Sequence, residues 1–289
     1  MSLEVSAMLE ENFGLGGLRR WDQAATVEHA LPEDAALLLT QTGVPSGVGV
    51  YFRAAEPGKA PATTRQGGDA WPVLGSDNGA NLAVRPEDGR VWALLPSPAW
   101  GPSRLVSTDV ARFLGSLALL DRALPRLAAA AGTDAVGPEF RNLRSALGDM
   151  DPEALAEPDG WWNRVLEDAR HTASFPFSAA VKYQDRRAGG PRLLTAVARL
   201  GSAHPELQLA AQMRAHKTEP AAALELFTEL EACLSPGHYC KMRAATLFPR
   251  VRYTYAFPYS GDAEQRDGSI VAAAQHAADQ AAKDRREQA

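Results

Sequence analysis

Cysteine is nearly missing from this chain: Cys233 and Cys240 are the only two in 289 residues. That excludes a scaffold stapled by several disulfides and suits a reducing compartment. No window approaches twenty apolar residues without a charge, so no membrane-spanning helix and no membrane partner are expected. The opening MSLEVSAMLEENFG brings acids early and lacks a basic stretch followed by an apolar run. It does not read as a signal peptide. The expected location is the cytoplasm, or beyond it by an export route that leaves no N-terminal mark.

Hydrophobic residues make up 45% of the chain and charged residues 22%, the balance of a folded globular protein. The length is generous for one core and comfortable for two domains. Net charge is −5 but unevenly spread: residues 171–289 hold 15 Lys and Arg against 12 Asp and Glu, and the preceding 170 hold 15 against 23. An acidic first part joined to a mildly basic second part predicts two domains, 1–170 and 171–289. The small positive balance of the second permits a nucleic-acid partner without demanding one.

In the first part, residues 36–52 predict a buried apolar run ending at Gly43-Val44-Pro45, then a short strand over 48–52. Residues 54–70, rich in Ala, Gly, Pro and Thr, predict loop. Residues 71–95 predict a β-meander with a turn at Pro86–Gly89. Phe113, Leu114, Leu117, Leu120 and Leu124 recur at helical spacing behind Ser107 or Thr108 as cap. Further helices are expected over 137–148 and from Trp161. The mixture predicts an α+β domain.

In the second part, strands are expected over 179–183 and 193–197, joined by a hairpin at Asp185–Pro191. Pro205 suits the first position of a helix running to about Ala215. A strand over 224–230, a helix within 236–247, a strand over 251–257 and an Ala-rich helix capped by Ser269 complete the order β-β-α-β-α-β-α. That order predicts an α/β three-layer domain around a mixed sheet.

His204-Pro205-Glu206 and the two cysteines carry the chemistry. Zinc held by one imidazole and two thiolates keeps a fourth position open for water, whose pKa it lowers. A glutamate two residues after the ligating histidine moves protons without binding the metal. The first thiol follows His204 by 29 positions, an interval that fits a helix, a turn and a strand. Cys240 falls in the first turns of a helix, where the thiolate is favoured. The expected zinc ligands are therefore His204, Cys233 and Cys240, with Glu206 as proton shuttle. A Cys233–Cys240 disulfide and His238 as ligand in place of His204 are the competing assignments. Phe227, Phe257 and Tyr259 are candidates to stack on a base. Lys241, Arg243, Arg250 and Arg252 could meet phosphates, with a solvated face as the default. Glu229 and Glu231 read as solvated carboxylates at a strand end.

Two family resemblances add to this. Gly43-Val44-Pro45, Leu74-Gly75-Ser76-Asp77 with Asn81–Val84, Val91-Trp92-Ala93, the Phe113-Leu114 helix and Trp161-Trp162 with Val165-Leu166-Glu167 resemble the SUKH superfamily of immunity proteins found beside bacterial polymorphic toxins. That resemblance covers about 20–170 and implies a binding module without catalysis, whose protein partner is a toxin or immunity component. Thr228–Cys233 with Pro236-Gly237-His238-Tyr239-Cys240 is similar to the deaminases of those toxin systems, over about 173–275. It implies hydrolytic deamination of a base in a nucleic acid or nucleotide. Two features depart from the pattern: Ala232 stands where proline precedes the first cysteine, and six residues separate the cysteines instead of two. The rival expectations are a non-catalytic binding protein with a structural or degenerate zinc site, and an enzyme of the free nucleotide pool.

Overall fold

A computed structural model describes residues 2–29, 31–55, 63–66, 68–132, 134–185 and 189–287. The chain divides into two compact units, the first formed by 1–170 with 236–238 and the second by 171–235 with 239–289. No helix of the described residues is long and apolar enough to cross a membrane.

The first unit is α+β. It opens with helix α1 (Ser2–Phe13), strand β1 (Leu18–Arg19) and helices α2 (Gln23–Glu28) and α3 (Glu33–Gln41). The apolar run before Gly43 is thus the buried face of α3, with Leu38 and Leu39 inside. An antiparallel sheet follows, built from β3 (Gly47–Val48), β4 (Phe52–Ala54), β5 (Thr63–Gln66), β6 (Asp69–Ser76), β7 (Asn81–Val84), β8 (Val91–Leu94) and β9 (Arg104–Ser107), while β2 (Val44–Pro45) pairs with β1. The meander appears as expected. Within the segment expected as loop, residues 56–62 and 67 lie outside the described residues, and 63–66 form β5 against β6.

Four helices complete this unit: α4 (Val110–Ala130), α5 (Val136–Met150), α6 (Pro152–Ala156) and α7 (Trp161–Ser174), the last carrying the chain into the second unit. The cap of α4 is Asp109, which accepts from Arg112 N, and not Ser107 or Thr108. Those two instead bond Asp151, whose carboxylate also accepts from Ala154 N. Phe113 on α4 meets Phe52 on β4 edge to face at 5.6 Å. Trp161 Nε1 donates to the buried Asp77 at 2.8 Å, and Asp77 also accepts from Ala80 N. Trp162 Nε1 donates to Val106 O. The tryptophan pair is therefore a packing element with both indole N–H groups satisfied.

The second unit is α/β. Its sheet has the order β11-β10-β12-β13, from β10 (Ser178–Asp185), β11 (Gly190–Val197), β12 (Ala223–Leu230) and β13 (Arg252–Phe257). It is mixed: β10 is antiparallel to both β11 and β12, and β13 is parallel to β12. Residues 186–188 of the expected hairpin lie outside the described residues. Helices α8 (Pro205–Ala215), α9 (Cys240–Leu247) and α10 (Ala263–Glu287) complete the unit. Leu209 and Met213 of α8 pack on Val181, Tyr183 and Leu226 of the sheet. Ile270 and Ala273 of α10 pack with Leu230, Leu207 and both cysteines. The cap of α10 lies earlier than Ser269: Gln265 N donates to Asp262 Oδ1 while Asp262 N donates to Gln265 Oε1, a reciprocal capping box. Ser269 sits about two turns inside and bonds Gln265 O.

Candidate metal centre

Local sequence sets the first half of the site. Pro205 occupies the first helical position of α8, so His204 becomes the N-cap with extended backbone and Glu206 falls in the first turn. His204 O accepts from Leu207 N and Gln208 N, and Gln208 Nε2 donates to Ala203 O. The helix start is thereby fixed relative to the residue before it. The His204 ring meets Phe177 edge to face at 5.0 Å.

The second half comes from the end of β12 and the start of α9. Cys233 follows the strand, and Cys240 is the first residue of α9. Tyr239, before it, has φ 45°, a left-handed conformation costly for a residue with a Cβ. Lys241 N donates to Cys233 O at 2.9 Å, which closes the two cysteine segments on each other. Cys233 and Cys240 are both buried and are not joined by a disulfide, so that alternative does not describe this structure.

Folding brings His204, Cys233 and Cys240 together. One ligand atom from each lies within 4.8 Å of the others, all three residues are buried, and Cys233 Sγ is 3.5 Å from His204 Nδ1. Glu206 is buried beside them, and among the described residues its Oε2 has no hydrogen-bond partner. Burial raises the Glu206 carboxyl above the usual carboxylate range; His204 opposes this and Cys233 adds to it. An imidazole nitrogen, two thiols and a buried carboxylate form a donor set suited to zinc with a water beside it.

The other candidates divide. Tyr259 is buried in the same cluster as Cys233 and Cys240, and Phe257 packs against that cluster. Tyr259 Oη is hydrogen-bonded to His171 Nδ1, whose Nε2 lies 2.7 Å from Asp267. Phe227 is different. It alternates with the buried Leu226 and Thr228 along β12 and is 42% exposed, so its ring points to the sheet face opposite the cysteines. It is not in the pocket suggested by its sequence position. His238 groups with the first unit, where its Nε2 lies 3.0 Å from Asp168 Oδ2 and Tyr51 Oη donates to the same oxygen.

The carboxylates at the end of β12 are not simply solvated. Glu229 accepts from Ser178 N, and Glu231 accepts from Lys241 Nζ and Tyr259 N. Burial alone would raise the Glu231 carboxyl, but Lys241, Tyr259 N and Ser260 outweigh it and hold it below the usual range. Of the basic cluster, Lys241 is thus paired with Glu231, and Arg252 with Glu225. The sequence reading passed over Tyr253. It lies on β13, and its phenol accepts from Ala232 N at 2.6 Å beside Cys233. Burial, against the hydrogen bonds of Thr228 and Ala232, pushes it up to about 12. The alternation of aromatics along Arg252–Phe257 was the available signal, but it says nothing of which backbone group a phenol reaches.

Comparison with known families bears on both units. A model of the SUKH-4 immunity protein family matches residues 5–168, and a model described as Xanthomonas-like deaminase matches 176–280. No curated protein and no solved structure gives a significant match. The first match spans more than half of the chain, and the second spans the segment that brings His204, Cys233 and Cys240 together. The chain belongs to the SUKH-4 immunity protein family and carries a deaminase-family domain behind its immunity domain.

Proposed function

We propose that residues 171–289 are a zinc-dependent deaminase acting on a nucleobase in a nucleic acid or nucleotide, and that residues 1–170 are the binding module fused to it. One observation carries the reading: the convergence of one His204 imidazole nitrogen and the two cysteine sulfurs within 4.8 Å, with the Glu206 carboxylate buried next to them.

His204, Cys233 and Cys240 would hold the zinc. The metal, when bound, supplies a nucleophile at neutral pH by acidifying a water. Glu206 accepts the proton of the attacking water. It passes that proton to the ring nitrogen beside C4 of cytosine or C6 of adenine as the ring C=N bond opens, then carries the remaining hydroxyl proton to the exocyclic nitrogen, which departs as ammonia and leaves a carbonyl. The raised Glu206 carboxyl suits a group that must both take and give a proton. Tyr259 and Phe257 line the apolar side of the cysteine cluster and are the candidates to meet the base. Phe227, exposed on the other face of β12, is left out of this proposal.

The SUKH-4 match supports a protein partner for residues 1–170, a component of a bacterial toxin system. Their excess of acidic residues favours a basic surface on that partner.

The test is an ammonia-release screen over free bases, nucleosides, nucleotides and single-stranded DNA and RNA, run beside metal analysis. Stoichiometric zinc with release from one substrate class supports the enzyme reading. Zinc without release on any of them leaves a binding protein with a structural metal. Release from mononucleotides but not from polymers assigns the enzyme to the nucleotide pool. Activity that survives Glu206→Ala removes the proposed shuttle.

A further inference from the structure

The residue before the first metal-ligating cysteine is ordinarily proline in zinc base deaminases. Proline has no N–H and needs no acceptor there. This chain has Ala232 at that place, and the residue is buried. A buried amide must find a partner or cost the free energy of a lost hydrogen bond. The partner is a side chain. Ala232 N donates to Tyr253 Oη at 2.6 Å, and the same oxygen lies 3.1 Å from the buried Thr228 Oγ1, so the phenol takes one proton and can give its own.

The neighbouring contacts place this bond. β13 runs parallel to β12, with Leu226 paired to Tyr253 and Leu230 to Phe257. Phe257 O accepts from Glu231 N at 2.8 Å. Two successive amides leading into Cys233 are therefore held by β13, one by backbone and one by the phenol. On the far side, Cys233 O accepts from Lys241 N, next to Cys240. Of these three restraints on the peptides around Cys233, only the Tyr253 bond rests on a side-chain atom.

We infer that Tyr253 is a positioning residue of the metal centre: by accepting the Ala232 N–H it fixes the peptide that aims Cys233, in place of a proline. The inference rests on the zinc reading of the site. Tyr253 acts through the backbone, by its bond to the Ala232 amide. A tyrosine that merely filled space would make the same apolar contacts as phenylalanine. The hydroxyl and its donor are what separate the two roles.

The experiment measures zinc affinity of the full chain by competition with a chelator, together with the absorption of the cobalt(II)-substituted protein, whose bands report thiolate ligation and tetrahedral geometry. Tyr253→Phe removes one oxygen. It should weaken zinc binding about tenfold or more and change the cobalt bands. Adding Ala232→Pro removes the donor that needed the phenol, and affinity should return close to that of the parent. The double variant, in which the proline ring no longer meets a phenol oxygen, serves as the test if Tyr253→Phe alone does not fold. Parent-like affinity and cobalt bands in Tyr253→Phe would overturn the inference. So would a loss that Ala232→Pro fails to restore. If the parent chain binds no zinc, the metal reading itself falls, a result distinct from zinc binding that is indifferent to Tyr253.

Discussion

His204 Nδ1 lies 3.5 Å from Cys233 Sγ, although 29 positions separate the two residues in the chain. The helix and strand between them form a loop that returns to its starting point. Cys240 joins from the next helix. Three ordinary side chains become a donor set by this return.

If that set holds zinc, the purified chain should carry one equivalent, and Cys233→Ser or Cys240→Ser should lose most of it. Metal analysis after gel filtration checks this. Unchanged stoichiometry in either variant would remove that cysteine from the ligand set. Chelation should also lower thermal stability, since a metal bound only by the folded state stabilises it.

Glu206→Gln should keep the zinc and lose the reaction. A positioned proton carrier contributes about 10²- to 10⁴-fold in rate. The measurement is ammonia release at matched zinc content. A rate within a few-fold of the parent would assign the proton transfer elsewhere.

Tyr253 gives a pH dependence with a definite sign. Burial pushes its phenol up to about 12, from an ordinary value of 10.0. The native state thus holds this proton over a range where the unfolded chain has released it. Its contribution is fully present below pH 10 and is lost as pH rises through 12. Denaturant midpoints measured across this range should fall less steeply for Tyr253→Phe than for the parent. Equal slopes would contradict the shift.

In the first unit, Asp77→Ala should destabilise by about 2 kcal/mol or more, because it strands the buried Trp161 Nε1 and Ala80 N donors. Chemical unfolding followed by tryptophan fluorescence reads this directly. A change under about 0.5 kcal/mol would mean that other groups satisfy both donors.

Asp262→Ala should cost about 1 kcal/mol by opening the capping box of α10. Hydrogen exchange should then speed in the first turns of that helix. Ser269→Ala should have a smaller effect there, since Ser269 lies inside the helix and not at its cap.

Much of this molecule was legible in advance because its signals are local. Pro205 marked a helix start, the apolar stretches at 179–183 and 224–230 marked strands, and the leucine spacing after Phe113 marked α4. The errors were local as well. Ser107 and Ser269 looked like caps, yet Asp109 and Asp262 hold those positions, because a cap is decided by which side chain reaches the free amides and not by residue type alone. The N-terminal helix α1 carried no capping or periodic signal strong enough to be read, and β5 exists only through its pairing with β6.

By itself, the sequence determined the chemical inventory: two thiols, a histidine two places before a glutamate, and the elements that carry them. Only the tertiary structure decided which atoms meet. The order β11-β10-β12-β13 sets the end of β12 beside the start of α8, sends Phe227 to the opposite face, and puts the Tyr253 phenol on the Ala232 amide. The reason is physical. Backbone propensity depends on neighbours a few residues away, whereas a buried cluster depends on strand order and register, which no single stretch of chain encodes.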